Sequence, residues 1–159
     1  MKTMNDIING SEISSSLSEY EVALSEFYRA FNNADTQLMQ TNWLQSEEAS
    51  LANPLGGLRR GWSEIFPLYE KLFNGPAEVY VEYFDYTIQH NDYIFLAVGR
   101  ERGYFRYDNN EVTLAIRTSR TYKKTDQGWR QLHHHGSIED PELLQSYQSV
   151  VIDMAAANK

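Results

Sequence analysis

Residues 117–137 read RTSRTYKKTDQGWRQLHHHGS, and this stretch decides the fold class. Two runs of strand-forming residues flank the turn sequence TDQG at 125–128, which predicts an antiparallel β-hairpin. Earlier strand-like runs with short turns between them lie at 77–88, 93–105 and 112–123. The second half of the chain is therefore predicted to form an antiparallel meander of four long strands.

The first half of the chain has a helical period instead. Apolar residues recur every three or four positions over 17–31 and again over 62–73. Asp35 is placed to cap a second, short helix. Asp140 followed by Pro141 begins a short C-terminal helix. Helices followed by a long antiparallel sheet predict an α+β fold rather than alternating α/β.

No internal repeat and no linker divide the chain, so one domain is predicted over residues 15–159. The preceding residues 1–14 are polar, rich in Ser and Asn, and aperiodic. Such a composition is typical of a loosely ordered arm. The chain is therefore predicted to be a single domain with a flexible N-terminal arm.

Composition excludes several classes of partner. The 159-residue chain has a formal net charge of −8, and its basic clusters Arg59–Arg60 and Lys123–Lys124 are too short to bind nucleic acid or an anionic membrane. The absence of cysteine excludes disulfides, thiolate metal sites and thiol nucleophiles. No signal-peptide pattern and no apolar run of membrane-spanning length occur, so we expect a cytoplasmic location.

Three of the four histidines are consecutive in the predicted last strand. Because alternate residues of a strand share a face, His133 and His135 are predicted to lie with Gln131, and His134 to point the other way. On a pocket wall, such a pair can act as general acid or base, since the ordinary pKa of histidine is near physiological pH. Alternatively, the pair hydrogen-bonds to the sheet or to a subunit partner.

A zinc or iron site would need a third ligand that converges on His133 and His135. The remaining histidine, His90, lies in a predicted turn, and no carboxylate stands at a metal-ligand spacing. We therefore predict no metal and no cofactor.

Three stretches resemble the nuclear transport factor 2-like superfamily, and within it the SnoaL-like and ketosteroid-isomerase-like branch. They are AFNNAD at 30–35, NPLGGLRRGWSEI at 53–65 and the hairpin at 117–137, where that branch has an Arg-containing strand, a Gly-Trp turn and a last strand reading roughly His-x-His-x-Ser. The resemblance extends over about residues 15–140. It implies a cone-shaped, curved antiparallel sheet wrapped on the N-terminal helices, an internal pocket, and a homodimer through the sheet face.

The resemblance also assigns roles to single residues. Arg120 matches the arginine of the family strand and is expected to point inward, where it would bind a carboxylate or enolate oxygen of the substrate. The alternative is an ion pair with Glu82, Asp85 or Glu101. Asp35 stands where some dehydratases of the superfamily carry an acid that orients a catalytic histidine, but the N-cap role explains the residue without chemistry and is the stronger reading.

Trp43, Trp62 and Tyr104 are candidate pocket walls together with Gln131, although large aromatic residues at this spacing are also typical of a core. The last strand lacks the Asp residues that ketosteroid isomerase uses, so steroid isomerisation by that mechanism is not expected. The resemblance implies a small-molecule pocket protein, specifically a cofactor-independent acid–base enzyme of isomerase, dehydratase or cyclase type acting on a carbonyl or aromatic, polyketide-like substrate. The alternative is a non-catalytic ligand-binding or oligomer-assembly module, because kinase association domains share the hairpin.

Overall fold

A computed structural model describes residues 6–157 and has the predicted α+β architecture. The elements follow the predicted order, with helices first, a long meander next and a final helix. In chain order they are α1 (Glu19–Asn32), α2 (Thr36–Asn42), β1 (Ser50–Ala52), β2 (Leu58–Arg60), α3 (Trp62–Asn74), β3 (Glu78–His90), β4 (Ile94–Tyr107), β5 (Asn110–Thr125), β6 (Gly128–Ser137) and α4 (Pro141–Ala157).

The strands form one curved sheet in the order β2-β1-β6-β5-β4-β3. The predicted meander is present as β3 to β6, with antiparallel pairing throughout. The turn-rich stretch before α3 adds two short strands, of which β1 pairs parallel with β6. The whole sheet is therefore mixed rather than purely antiparallel.

Local sequence signals explain where the first helices begin. The Ser18 side chain accepts a hydrogen bond from the Glu21 backbone N–H, and the Glu21 carboxylate accepts one from the Ser18 N–H, which completes a capping box. The Asp35 carboxylate accepts a hydrogen bond from the Leu38 N–H at 2.9 Å and caps α2. The N-cap reading of Asp35 is thus observed.

The core lies between α1, α3 and one face of the sheet, which we call the inner face. Its tyrosines show why so many aromatic rings with a hydroxyl can be buried. Tyr28, Tyr83 and Tyr86 stack in series, with ring centroids 5.6 and 5.1 Å apart. The Tyr83 hydroxyl donates to the Thr118 carbonyl, and the Tyr86 hydroxyl donates to the Glu21 carboxylate. Each ring therefore supplies apolar area while its polar atom keeps a partner.

The sheet is irregular at two positions. The pairing of β3 with β4 shifts between Phe84 and Thr87, where Asp85 has a φ of 48°. Opposite this bulge lies Gly99, where an added Cβ would stand 2.6 Å from the Tyr86 side chain. The second irregularity lies between β5 and β6, and it decides which histidine faces inward.

The N-terminal segment pairs with the edge strand β3. Residues 1–5 of the predicted flexible arm lie outside the described part of the chain. Ile8 is buried and exchanges two backbone hydrogen bonds with Tyr83, at 2.9 and 2.8 Å. Between residues 6 and 157, no helix is both long and apolar enough to cross a membrane.

Candidate functional site

The inner face of the sheet and three helices border a cavity of about 490 Å³. Its walls are mainly apolar, with Phe27 and Phe31 from α1, Leu72 from α3, and Val151 and Met154 from α4. Cavities of this volume and character are typical of small-molecule sites. Three ionisable side chains from the sheet also line it, namely Glu101, Arg120 and His134.

Arg120 points inward from β5, as predicted, and each of its three side-chain nitrogens donates a hydrogen bond to a protein oxygen. Its Nε donates to the Tyr28 hydroxyl at 3.2 Å, and its two terminal nitrogens donate to Gln131 Oε1 at 2.7 Å and Glu101 Oε1 at 2.8 Å. The guanidinium carbon lies 3.6 Å from the centroid of the Phe27 ring. Of the two roles predicted for Arg120, the structure contains the ion pair, with Glu101 as the partner.

Glu101 is buried on the inner face of β4. Its Oε1 accepts hydrogen bonds from both Arg120 and the Tyr28 hydroxyl, the latter at 2.6 Å. Its other carboxylate oxygen, Oε2, accepts no hydrogen bond from the described residues. The sequence contained a signal for the inward direction of Glu101. The residue is an even number of positions from the buried Phe95, Ala97 and Phe105, so all four side chains share one face of the strand.

His134 is the second inward group that the sequence interpretation missed. The side chain is buried, and neither ring nitrogen has a hydrogen-bond partner among residues 6–157. Burial, and secondarily the positive charge of Arg120, lower the pKa of His134 well below its ordinary value. At physiological pH the ring is therefore neutral, with one nitrogen a donor and the other an acceptor, and both nitrogens are covered by surrounding protein atoms.

A β-bulge in β6 reverses the predicted faces. Consecutive residues of β5 pair with Gln131 and with His133, so Leu132 between them is an extra residue. One extra residue moves every later side chain to the other face. Gln131 and His134 consequently both point inward, whereas His133 and His135 lie on the outer face. The shared face predicted for Gln131, His133 and His135 is not observed. His133 and His135 do not line the cavity, and their catalytic role stays a prediction.

The outer pair has an environment of its own. His133 Nδ1 lies 2.7 Å from the Ser50 hydroxyl of β1, and the rings of His133 and His135 have centroids 6.4 Å apart. Partial burial and then the neighbouring His135 lower the pKa of His133. In the described range, no three side chains are grouped so that they could hold a metal ion.

The aromatic residues predicted as pocket walls lie elsewhere. Trp43 is buried in the core, where its ring centroid lies 6.1 Å from that of Trp62 and 6.2 Å from that of Tyr69. Tyr104 stands on the outer face, and its hydroxyl donates to Glu78 at 3.1 Å. Core packing, the alternative reading, accounts for Trp43 and Trp62.

Asp35 is exposed at the start of α2. Its carboxylate caps that helix. Among the described residues, it makes no contact with a histidine that would join it to the cavity. The site therefore brings together Arg120 and, behind it, Gln131 from the predicted set, and adds Glu101 and His134.

Comparison with known proteins agrees with this architecture. A family profile described as SnoaL-like domain matches residues 21–141. The fold is shared with a proposed dehydratase of the NTF2-like family from Streptomyces avermitilis, at 18% identity and a TM-score of 0.67 over 78% of this chain and 96% of that chain. It is shared with an NTF2-like superfamily protein from Salmonella enterica serovar Typhimurium, at 21% identity and a TM-score of 0.65 over 79% and 92%.

The CaMKII hub of S. rosetta also shares the fold, at 17% identity and a TM-score of 0.64 over 75% of this chain and 93% of that chain. At such identities, likeness shows the fold and leaves the function open. No curated protein matches the chain.

Proposed function

The chain belongs to the SnoaL-like domain family and has the nuclear transport factor 2-like fold, and from this premise we propose that its cavity binds a small, mainly apolar molecule whose carbonyl or hydroxyl group is held by His134. The observation that carries the proposal is the His134 ring, which borders the cavity while neither ring nitrogen has a hydrogen-bond partner among residues 6–157. Both nitrogens are covered by protein, so binding requires the ring to turn toward the ligand. A buried polar group without a partner costs about 1–3 kcal/mol, so a ligand that satisfies it gains that amount back.

The same groups suit acid–base chemistry without a cofactor, of isomerase, dehydratase or cyclase type. In the proposed step, the Glu101 carboxylate removes a proton from the carbon next to a substrate carbonyl. The C–H bond breaks and an O–H bond forms on Glu101, the C–H electron pair becomes a C=C bond, and the π pair of the carbonyl moves to its oxygen. The His134 N–H donates a hydrogen bond to that developing enolate oxygen, a kind of stabilisation that works best in a dry site. Returning the proton to another carbon completes an isomerisation.

The binding proposal can be tested with a screen of ketones, phenols and polyketide-like compounds by thermal shift, followed by calorimetric titration of the hits. A ligand present at 100 times its Kd adds about 2.7 kcal/mol to stability, which a thermal shift detects readily. We expect His134→Leu to weaken binding by about tenfold or more, because the polar contact is lost. The matched control is His135→Leu, one residue away on the outer face, which should bind as the wild type does.

Two outcomes would contradict the proposal. Binding that is lost in His135→Leu and kept in His134→Leu would place the ligand site on the outer face. Absence of binding across the whole screen would remove the small-molecule function and favour assembly.

Oligomer assembly is a second candidate function, as a homodimer formed through the outer face of the sheet. The observation in its favour is Val98, which is 45% exposed at the centre of that face, with the half-buried Leu96 two residues away on the same strand face. The CaMKII hub shares the fold. Sedimentation velocity of the wild type and of Val98→Asp tests this candidate, since a buried charge at a dimer contact should produce monomers. A wild-type monomer at high concentration would dismiss it.

A further inference from the structure

The cavity contains a positive and a negative side chain that neutralise each other. We propose that, for this reason, the cavity selects uncharged ligands that carry a hydroxyl or similar hydrogen-bond donor, and rejects carboxylates. This inference rests on the proposed function, since it names the class of molecule that the same cavity takes.

Arg120 would be the natural holder of an anionic ligand, but each of its three side-chain nitrogens already has a partner within the protein. Each side-chain nitrogen donates to a protein oxygen, on Tyr28, Gln131 or Glu101. One face of the guanidinium rests on the Phe27 ring. A ligand carboxylate would have to displace Glu101 to make a two-bond contact with the Arg120 guanidinium. The Glu101 carboxylate would then be buried without its partner.

Glu101 would also repel a ligand carboxylate. Its Oε1 is bound to Arg120 and Tyr28, whereas its Oε2 accepts nothing from the described residues. A second carboxylate in the same apolar cavity would face this negative charge in a low-dielectric environment, where like charges repel strongly. A ligand hydroxyl, in contrast, could donate directly to Oε2.

Apart from Lys71 at the rim, the remaining ionisable side chains that line the cavity are uncharged. The pKa of His134 is lowered by burial, and burial raises the pKa of the Tyr69 and Tyr147 hydroxyls, so all three are neutral at physiological pH. Lys71 also borders the cavity but is exposed on α3, where water screens its charge. The interior therefore offers hydrogen bonds without net charge.

A hydroxyl group fits this arrangement better than other polar groups. It can donate to Glu101 Oε2, because a carboxylate oxygen is an acceptor, and it carries no charge that Glu101 would repel. The rest of the ligand would be an apolar ring or chain, since the walls are apolar and the cavity volume is about 490 Å³. The class is thus an uncharged phenol or alcohol, including the enol form of a ketone.

The test uses ligand sets that share one skeleton and differ only in the polar group. Naphthol, naphthalene and naphthoate form one set, and decanol, decane and decanoate form another. Calorimetric titration at pH about 7.5, where a carboxylate is ionised, should give affinities in the order hydroxyl, hydrocarbon, carboxylate. We expect the hydroxyl compound to bind at least about tenfold more tightly than the carboxylate.

Replacing Glu101 sharpens the test. Glu101→Gln keeps the side-chain shape and removes the counter-charge of Arg120, so the carboxylate should gain affinity and the order of the two compounds should invert. The matched control is Glu82→Gln on the outer face, where Glu82 pairs with Arg102, and there the wild-type order should persist.

The outcomes separate the two proposals. A wild-type preference for the carboxylate overturns the inference and leaves the small-molecule function standing. Absence of binding by every member of both sets and of the wider screen overturns the function itself. If Glu101→Gln does not fold, the wild-type affinity order alone decides.

Discussion

The two faces of the sheet carry the same chemical pair in different surroundings. On the inner face, Arg120 lies 2.8 Å from Glu101, with side-chain exposures of 1% and 6%. On the outer face, Arg102 lies 2.6 Å from Glu82, with exposures of 47% and 19%. The contact lengths are alike, so distance does not rank the two pairs. Exposure does rank them by their effect on stability, because a half-solvated pair contributes little while each charge of a buried pair depends on the other for its compensation.

The largest effect should come from breaking the inner pair. Arg120→Leu leaves the Glu101 carboxylate buried without its counter-charge, and we expect a loss of about 3–5 kcal/mol in the free energy of unfolding. Arg102→Leu on the outer face should cost about 1 kcal/mol at most. Urea denaturation of both variants measures the difference.

The double variant Arg120→Leu/Glu101→Leu is the decisive control for this prediction. It removes both charges, so it should recover much of the stability lost in Arg120→Leu. Equal losses for Arg120→Leu and Arg102→Leu would refute the claim that burial separates the two pairs.

The histidines extend the same contrast to pH. In the folded protein the pKa of His134 is lowered well below its ordinary 6.5, so below that pH the unfolded chain binds the proton and the folded chain does not. Stability should therefore fall as the pH drops below about 6.5, by up to about 1.4 kcal/mol per pH unit from this group. We expect His134→Leu to lose this slope and His135→Leu to keep it, as measured by urea denaturation between pH about 7.5 and 5.

Identical slopes in the two histidine variants would show that His134 titrates normally in the folded protein. The difference between the variants is the informative quantity, since the acidic residues of the chain also titrate at the lower end of this range.

The smallest effect should arise on the outer face. Ser50→Ala removes the hydrogen bond to His133 Nδ1, in a half-exposed setting where water replaces the lost partner, and we expect about 0.5–1 kcal/mol. Ser119→Ala, on the outer face of β5, is the matched control, because the Ser119 hydroxyl makes no hydrogen bond among residues 6–157. A loss in Ser50→Ala above that of Arg120→Leu would reverse the order of the faces.

The sequence predicted those features that depend on local pattern. Residue types and spacing predict four of these features: the helical stripes, the Asp35 cap, the turns of the meander and the inward direction of Arg120. The partner of Arg120 was left open among Glu82, Asp85 and Glu101. Only the register of β4 against β5 selects Glu101, and register is a tertiary property.

The histidine triplet shows where the same reasoning breaks down. Strict alternation assumes that no strand contains an extra residue, and Leu132 violates that assumption. Nothing in the residues near Leu132 signals a bulge, since neither Gly nor Pro stands there. On its other side, β6 pairs with β1 from Ser50 to Ala52, directly after the bulge. That pairing involves residues more than 80 positions away in the chain, so the local pattern does not show it.

The origin of the cavity walls has a consequence for divergence within the family. The SnoaL-like match covers residues 21–141, while Tyr147, Val151 and Met154 of α4 line the cavity from beyond it. No described residue of α4 is fully buried, although several of its apolar side chains pack against the core. Substitutions in this one wall should therefore change the shape of an accepted molecule while the polar floor formed by the sheet stays the same.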